Sequence, residues 1–377
     1  MPVLSLGNQA LTGIFQKDGS TVKRAPLDLV LCMGDCGLLQ LRDAVPRTDV
    51  FGPTYGYESS INATMRDHLR DIVRQAQRHV PLNPGDVVLD IGANDGTLLD
   101  NYPATTRRVG IDPSAARFEH NYRDKELIVD FFSRKTFPRK AKIITSIAMF
   151  YDLEDPLAFM RDIEACLAPG GIWVTEQGYM PAMLRNTAYD TVCHEHIEYY
   201  GLTQIIWLAD RASLKVIGVT LNDINGGSFC VTLARKGAHH RANDDAIREL
   251  LAYEDILDES DYRRFAAHVA GHRDWLREFM CAHPDKLVLG YGASTKGNVI
   301  LQYCGIELKA IAERNPAKFG LRTPGTNIPI ISEAEARAMR PDYFLVLPWH
   351  FRREIEERER AFTEAGGKLI FPLEVKP

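Results

Sequence analysis

The chain has 377 residues, of which 45% are hydrophobic and 25% charged, and its formal net charge is −5. This is an ordinary globular composition over a length that suits two or three domains, and the slight excess of acid argues against nucleic acid or an anionic membrane as a partner. No run of 18 apolar residues occurs, and the N-terminus does not resemble a signal peptide, so we expect a cytoplasmic protein that does not enter the membrane. The seven scattered cysteines favour reduced thiols over a disulfide framework.

Residues 1–66 are predicted to form a small N-terminal module. They are rich in turn-forming residues and contain the close cysteine pair Cys32 and Cys36, within LCMGDCGLLQL. From about residue 67 the pattern changes, because MRDHLRDIVRQAQRHV places apolar residues near a period of 3.6. This spacing predicts an amphipathic helix.

Residues 67–240 are predicted to form an α/β domain, since short apolar runs alternate there with helical stretches. Such alternation is typical of a parallel sheet with right-handed crossover connections. The runs that predict strands are DVVLDI, RRVGID, KELIVDFF, KIITSIAMF and GGIWVTEQ, and a further strand is predicted in GGSFCVTLARKG.

Residues 241–377 are predicted to contain a helical connection followed by a second Rossmann-like fold. Helical patterns fill the stretch from 244 to 280, and a new αβ set follows in KLVLGYGASTKGNVILQYC, KAIAERNP and DYFLVLPWH. The fold class is therefore α/β, with two nucleotide-type folds behind a small N-terminal module.

The stretch VLDIGANDGTLL predicts a strand, a tight turn and the start of a helix, and it indicates which cofactor the first fold binds. A dinucleotide site prefers G-x-G-x-x-G, but here Asn94 and Thr97 replace the second and third glycines. Asp90, directly before the turn, would repel a pyrophosphate and attract a cofactor that carries an ammonium and a sulfonium group. The motif therefore favours S-adenosylmethionine over a dinucleotide.

Acids at the ends of three predicted strands complete the expected cofactor site. Asp112 can accept hydrogen bonds from a ribose diol, and Asp130 can accept from an adenine amine while Phe131 packs against the ring. The remaining predicted cofactor contacts, within and just before the turn, are Asp90, Gly92, Asn94, Asp95 and Gly96. The alternative is that all of these acids are solvated turn residues.

Several longer motifs resemble one family. VLDIGANDGTLL, SIAMFYDLEDP, CHEHIEYYGL, INGGSFCVTLAR and GYGASTKGNVILQYCGI occur in the order found in the S-adenosylmethionine-dependent sugar C-methyltransferases. The resemblance implies a class I methyltransferase domain between a zinc-binding type of N-terminal module and a C-terminal Rossmann-like domain. It also implies a nucleotide-linked 4-keto-deoxy sugar as substrate and methylation of its C-3 carbon.

The sequence departs from this family at three places. The family's module carries two cysteine pairs, whereas only Cys32 and Cys36 match one of them, and a closed zinc site needs four ligands. Zinc binding and a metal-free cysteine pair therefore both stay open. Cys193 stands where some members have tyrosine, and Tyr151 stands where some have histidine.

The segment Cys193–His196 carries the expected catalytic groups, because the Glu-His pair of the family falls on Glu195 and His196. The resemblance implies that His196 is the general base that removes the proton beside the ketone, with Glu195 fixing its tautomer or binding a sugar hydroxyl. His194 is the alternative base. A structural histidine cluster and a weak His-x-His metal pair are further alternatives.

Two tyrosine positions are expected to complete the catalytic site. Tyr57, in YGYESS, matches a family tyrosine that reaches the sugar from the N-terminal module, and we expect it to donate a hydrogen bond to the keto oxygen. Tyr55 of the same motif is a candidate for substrate binding. Tyr151 follows a strand and should lie near the methyl donor.

The C-terminal domain is expected to bind the nucleotide part of the substrate. Its glycine-rich turn lacks the P-loop pattern but presents N–H groups and polar side chains at a helix start, which suits a diphosphate. The predicted substrate contacts of this half and of the INGGS turn are Asn225, Gly226, Gly292, Ser294, Thr295, Lys296, Glu313, Arg314 and His350.

Three other functions were compared with C-methylation. An NAD-dependent epimerase or dehydrogenase would need G-x-G-x-x-G at the first fold and a Tyr-x3-Lys pair beside it, and this chain has neither at the required place. O- or N-methylation of a nucleotide sugar would use the same cofactor with a weaker base. A non-catalytic nucleotide-sugar-binding homologue is opposed by the intact Glu195 and His196. The sequence predicts no oligomeric state.

Overall fold

The computed structural model describes residues 1–17, 20–50 and 57–374, and the predicted site residue Tyr55 lies outside this part of the chain. Three sheets organise the described residues: an antiparallel N-terminal sheet, a mixed central sheet and a parallel C-terminal sheet. Together with their helices they form the α/β fold that the alternating pattern predicts.

The N-terminal sheet contains a strand from the middle of the chain. In spatial order its antiparallel strands are β1 (Pro2–Ala10), β2 (Arg24–Leu31), β3 (Leu39–Leu41) and β9 (Glu198–Tyr199). In addition, the Leu41 N–H donates to the Ile197 carbonyl at 2.9 Å. The sheet thus joins residues from both sides of the boundary predicted at residue 66, and it holds the segment around His196 against the module.

Among the described residues, the central sheet has seven strands, of which six run in one direction and one, Ser228–Arg235, runs in the opposite one. From one edge to the other they are β10 (Leu214–Asn222), β11 (Ser228–Arg235), β8 (Leu167–Gly178), β7 (Ala141–Ile147), β4 (Val87–Ile91), β5 (Arg107–Ile111) and β6 (Glu126–Ile128). The parallel strands confirm the parallel sheet that the alternating sequence pattern predicted. The antiparallel pairing of β10 and β11 was not predicted, and it forms because a tight turn at Ile224–Gly226 joins the two strands directly.

The prediction of a helix directly after the glycine turn is wrong. Only a short 3-10 turn forms there, at Leu99–Asn101. The Asn101 side-chain amide donates to the carbonyls of Thr97, at 2.9 Å, and Leu98, at 3.3 Å, which a longer helix would use for its own backbone. Pro103 follows almost at once and disfavours helical geometry at the residue before it.

The helices of the first two thirds of the chain cover the central sheet and lead into the C-terminal domain. In chain order they are α1 (Arg47–Val50), α2 (Ala63–His79), α3 (Pro156–Cys166), α4 (Met180–Asn186), α5 (Leu202–Arg211), α6 (Asp244–Asp255) and α7 (Glu259–Ala282). The predicted apolar face of α2 is confirmed, since Leu69, Ile72, Val73 and Ala76 are all buried. Among the described residues, we find no helix whose length and apolar character would let it cross a bilayer.

The C-terminal sheet is parallel throughout, as expected for a Rossmann-like fold. In spatial order its strands are β14 (Ile330–Ser332), β13 (Ile311–Glu313), β12 (Val288–Tyr291), β15 (Tyr343–Val346) and β16 (Lys368–Ile370). Its helices are α8 (Thr295–Cys304), α9 (Glu333–Ala338), α10 (Arg352–Arg358) and α11 (Arg360–Glu364).

A buried tryptophan joins the central and C-terminal domains. The Trp349 indole N–H donates to Asp190 Oδ2 at 2.7 Å, and the ring packs against Gly226. A Cβ at Gly226 would lie 2.7 Å from Trp349 Cη2, and this glycine has a φ of 92°. Gly226 was expected to approach the substrate, but the structure shows that its missing side chain makes room for Trp349 instead.

Replacing Gly226 with alanine should destabilise the protein by roughly 2–4 kcal/mol, because it combines overpacking against Trp349 with a strained backbone. Thermal unfolding measures the effect. Gly237→Ala is the matched control, since a Cβ there meets no atom within 4 Å. Equal midpoints for the two variants would contradict the packing argument.

Candidate active site

A cavity of about 600 Å³ lies where the three sheets approach one another. Both Rossmann-like folds and the N-terminal module contribute to its wall, so the site is shared between domains. The predicted site residues that line it are Tyr57, Asp90, Gly92, Asn94, Asp112, Asp130, Phe131, Tyr151, Glu195, His196, Asn225, Gly292, Ser294, Thr295, Lys296, Glu313, Arg314 and His350. Asp95, Gly96, His194, Gly226, Cys32 and Cys36 are not among the lining residues.

The carboxylates at the ends of β4 and β5 form one end of the cavity. Asp90 Oδ1 accepts a hydrogen bond from Thr145 Oγ1 at 2.6 Å. Burial raises the pKa of Asp90 to about 7, and the charges of Asp112 and Asp95 add to the effect. Asp112 is buried and accepts from the Asn94 N–H at 2.9 Å and from the Ser114 N–H at 2.7 Å.

The glycine turn closes around this end of the cavity. Gly92 has a φ of 73°, and a Cβ there would lie 3.2 Å from Met149 Cγ. Asn94 connects the turn to the segment after residue 56, because its Nδ2 donates to the Tyr57 carbonyl at 3.2 Å and its Oδ1 accepts from the Ser59 N–H at 3.1 Å. The turn therefore fixes the position of Tyr57 on the cavity wall.

Two residues predicted to bind the cofactor shape the turn from outside the cavity. Asp95 accepts from the Ser60 N–H at 2.8 Å and from the Thr97 N–H at 3.1 Å. Gly96 has a φ of 82°, and a Cβ there would meet the Tyr122 ring at 3.2 Å. Both residues thus make contacts within the protein in this structure.

An aromatic residue and an arginine form the outer part of the cofactor end. Asp130 is exposed, and its Oδ1 accepts from the Phe131 N–H at 2.7 Å. The guanidinium carbon of Arg47 lies 4.4 Å from the centre of the Phe131 ring. No sequence motif indicated Arg47, whose contact with the ring joins residues far apart in the chain.

This end of the cavity fits S-adenosylmethionine. Asp90, Asp112 and Asp130 provide negative charge for a cationic nucleoside, and apolar residues such as Ile111 and Met149 lie between them. Acids at the wall of a cavity favour a positively charged ligand over a phosphate.

His196 lines the cavity, and within the described part of the chain its Nε2 has no hydrogen-bond partner. Its Nδ1 lies 2.9 Å from the Thr191 carbonyl oxygen, which can only accept, so Nδ1 carries the proton and Nε2 is left as an acceptor. The Tyr151 ring lies 4.1 Å away between ring centres. Burial lowers the pKa of His196 to about 3, and the nearby charge of Lys296 contributes, so the ring is neutral at physiological pH.

The two residues before His196 have different surroundings. His194 is buried beneath the N-terminal module, and its Nε2 lies 3.1 Å from the Ala25 carbonyl. Glu195 reaches the cavity, where its Oε2 accepts from Thr12 Oγ1 at 3.1 Å and burial raises its pKa. The Thr191 carbonyl, and not Glu195, fixes the tautomer of His196.

Asp152 is a cavity residue that the sequence analysis missed. Its side chain is buried, and its Oδ1 has no hydrogen-bond partner within the described part of the chain. Burial raises the pKa of this carboxyl well above its usual range, and the charge of Glu195 adds to the effect. The available signal was its position directly after Tyr151, in the turn that follows β7.

The C-terminal wall of the cavity starts with the turn between β12 and α8. Gly292 has a φ of 81° and packs against Pro348, and Ser294 Oγ caps α8 by accepting from the Gly297 N–H at 3.0 Å. Glu313 Oε2 accepts from the Ala293 N–H at 2.8 Å, which ties the end of β13 to this turn.

Two lysines extend across this wall. Lys296 Nζ donates to the Asn225 carbonyl at 2.8 Å, and Lys318 Nζ donates to the Ala293 carbonyl at 2.7 Å. Lys318 also lies 4.5 Å from the centre of the Phe15 ring, and both of these residues line the cavity. Lys318 and Phe15 carried no motif and were missed.

Cys32 and Cys36 do not form a closed zinc site with neighbouring residues. Both are free thiols, and across residues 1–17, 20–50 and 57–374 no group of three or more His, Cys, Asp or Glu side chains is placed to hold a metal ion. A structural zinc site takes four ligands. The donor set around this pair therefore does not fit the zinc of the module type.

Three family models match successive parts of the chain. They are a "Putative zinc binding domain" over residues 1–51, a methyltransferase domain over residues 61–219 and a C-methyltransferase C-terminal domain over residues 223–374. The C-methyltransferase NovU of Streptomyces niveus is 32% identical over an alignment that covers 99% of this chain and 93% of NovU.

Two solved methyltransferase structures were found to be similar to part of this chain. The plantazolicin methyltransferase BpumL in complex with SAH has 14% identity and a TM-score of 0.38, with 45% of this chain and 83% of that chain covered. An S-adenosylmethionine-dependent methyltransferase of Clostridium acetobutylicum has 12% identity and a TM-score of 0.38, with 45% of this chain and 92% of that chain covered.

Asp90 should make cofactor affinity depend on pH. Since its pKa is about 7, the carboxyl is largely protonated at pH 6 and ionised at pH 7.5, and only the ionised form attracts a cation. Calorimetry with S-adenosylmethionine should give roughly tenfold tighter binding at pH 7.5 than at pH 6.

The Asp90→Asn variant should bind S-adenosylmethionine weakly, and its affinity should no longer depend on pH in this way. Asp124→Asn, an exposed acid outside the cavity, is the control and should behave as the wild type. An unchanged pH slope in the Asp90 variant would show that another group is responsible.

Proposed function

Because this chain belongs to the S-adenosylmethionine-dependent C-methyltransferase family, we propose that it methylates C-3 of a nucleotide-linked 4-keto-deoxy sugar through an enolate. The observation that carries the proposal is the neutral His196, whose bare Nε2 faces the same cavity as the cofactor carboxylates and the C-terminal glycine turn. One cavity thus holds a base, a site for a methyl donor and a site for a nucleotide.

Carbon methylation needs a base because the carbon beside a ketone must first lose a proton. His196 is neutral and oriented by the Thr191 carbonyl, so its Nε2 can accept this proton, although its lowered pKa makes it a weaker base than free imidazole. A carbon acid is much weaker than an imidazolium, so the base alone is insufficient, and the negative charge on the keto oxygen must also be stabilised.

Other groups at the cavity wall orient the sugar. Glu195 and Asp152 both have raised pKa values, so a protonated carboxyl can donate to a sugar oxygen while the other accepts from a hydroxyl. Tyr57 and Tyr151 also line the cavity, and their phenol groups suit hydrogen bonding to the keto end of the sugar.

The cofactor's methyl group is expected between the acids and His196. When bound, S-adenosylmethionine would supply an electrophilic methyl group to the carbon beside the ketone. Asp90 and Asp112 would hold the amino acid and ribose parts. The protein's contribution to this step is alignment and exclusion of water, which can be worth ~7–11 kcal/mol.

The nucleotide is expected to bind along the C-terminal wall. The N-terminal end of α8 presents N–H groups, and Ser294, Thr295 and Lys318 add donors that suit a diphosphate. Glu313, Arg314 and His350 are placed to contact the nucleoside end.

A mass-shift assay tests this function with a panel of 4-keto sugars linked to dTDP, CDP or GDP. The wild type should add one methyl group to a member of the panel, and His196→Ala should be slower by about 10²–10⁴, the usual contribution of a general base. Its affinity for S-adenosylmethionine should be unchanged.

His194→Gln serves as the control for His196→Ala and should retain activity once thermal unfolding shows that it is folded. Activity in His196→Ala together with an inactive, folded His194→Gln would reverse the assignment of the base. A product methylated on oxygen or nitrogen would contradict carbon methylation.

A further inference from the structure

Lys296 lies in a part of the cavity that a role in diphosphate binding does not explain. It is the second residue of α8, yet its Nζ donates to the Asn225 carbonyl at 2.8 Å, in the turn between β10 and β11. The side chain therefore extends from the C-terminal domain to the methyltransferase domain. Asn225, Lys296 and His196 line the same cavity.

Lys296 lies near His196, the expected base, and near His350 and Asp190. Its positive charge is close enough to lower the pKa of both His196 and His350. Burial lowers the pKa of the Lys296 amine, and the nearby Asp190 opposes this effect because its negative charge favours the charged amine. Asp190 is held by the Trp349 indole at 2.7 Å, so the position of this acid is fixed.

We propose that Lys296 supplies the positive charge that stabilises the enolate oxygen while His196 removes the C-3 proton. This assignment rests on the proposed function. The C-3–H bond breaks, the proton moves to His196 Nε2, the electron pair forms the C-3–C-4 double bond, and the carbonyl π pair moves onto the keto oxygen. The substrate thereby becomes an anion and His196 becomes a cation.

The proximity of Lys296 to His196 explains why proton transfer to His196 is favoured only when an anion forms on the substrate. Two cations near each other repel, and this repulsion opposes protonation of His196 as long as no anion is present. The enolate oxygen supplies that anion at the moment of proton transfer. A buried ammonium therefore stabilises the transition state far more than the neutral ketone.

Lys318 provides a matched comparison within the same cavity. Like Lys296 it lines the wall and donates to a backbone carbonyl, but its charged neighbours are Glu313, Arg117 and Glu58 and do not include His196. Loss of a phosphate-binding lysine should weaken substrate binding, whereas loss of an enolate-stabilising lysine should slow proton transfer.

The experiment measures deuterium exchange at C-3 in heavy water without S-adenosylmethionine, using the nucleotide sugar that the wild type methylates. Lys296→Met should lower the exchange rate at saturating sugar by about 10²–10³, as for loss of an oxyanion donor, while the Kd for the sugar stays within about threefold. Lys296→Arg should recover part of the rate. Lys318→Met should instead weaken the Kd for the sugar by roughly tenfold.

Binding of S-adenosylmethionine and thermal unfolding establish that each variant is folded. A folded Lys296→Met that exchanges at the wild-type rate, or that loses only sugar affinity, would overturn the assignment and leave the proposed function intact. Absence of exchange and of methylated product in the wild type would instead overturn the proposed function itself.

Discussion

The hydrogen bond from His196 Nδ1 to the Thr191 carbonyl is the interaction on which the account depends. It fixes the tautomer, so that Nε2 faces the cavity as an acceptor. The backbone around this histidine is held on two sides, because the Ile197 N–H donates to the Tyr151 carbonyl at 3.0 Å and the Ile197 carbonyl accepts from Leu41. His196 is therefore held in place by both the N-terminal module and the methyltransferase domain.

The two ends of the cavity differ in charge. Carboxylates dominate the end formed by the central sheet, where we propose that the cationic cofactor binds. The end formed by the C-terminal domain, where an anionic nucleotide is expected, carries lysines and arginines together with the acids Glu313, Glu333 and Glu354. Lys296 lies between the two, and one hydrophobic cluster that includes Leu29, Tyr189 and Trp349 holds the module and the C-terminal domain together. The rigid core makes a shared site possible, because each domain supplies only part of it.

The sequence was sufficient for the features that depend on local patterns. The parallel strands of both sheets, the apolar face of α2 and the turn after Asp90 all follow from periodicity and turn chemistry. The sequence pattern predicted a helix after Thr97, but Asn101 and Pro103 limit it to a short 3-10 turn. Sequence patterns also could not reveal Lys318 or the contact of Arg47 with Phe131, because these depend on residues that only the tertiary fold brings together, whereas the position of Asp152 directly after Tyr151 was a usable signal. The structural role of Gly226 could not be predicted for the same reason, because the Trp349 ring that leaves no room for a side chain there is distant in the sequence.

The most direct test of the central claim is the protonation state of His196, measured by ¹⁵N NMR in the folded protein at pH 7. The account predicts a neutral ring with its proton on Nδ1 and an unprotonated Nε2. A ring protonated at Nε2, either as the other tautomer or as the imidazolium, would have no acceptor facing the cavity and would contradict the assignment of His196 as the base.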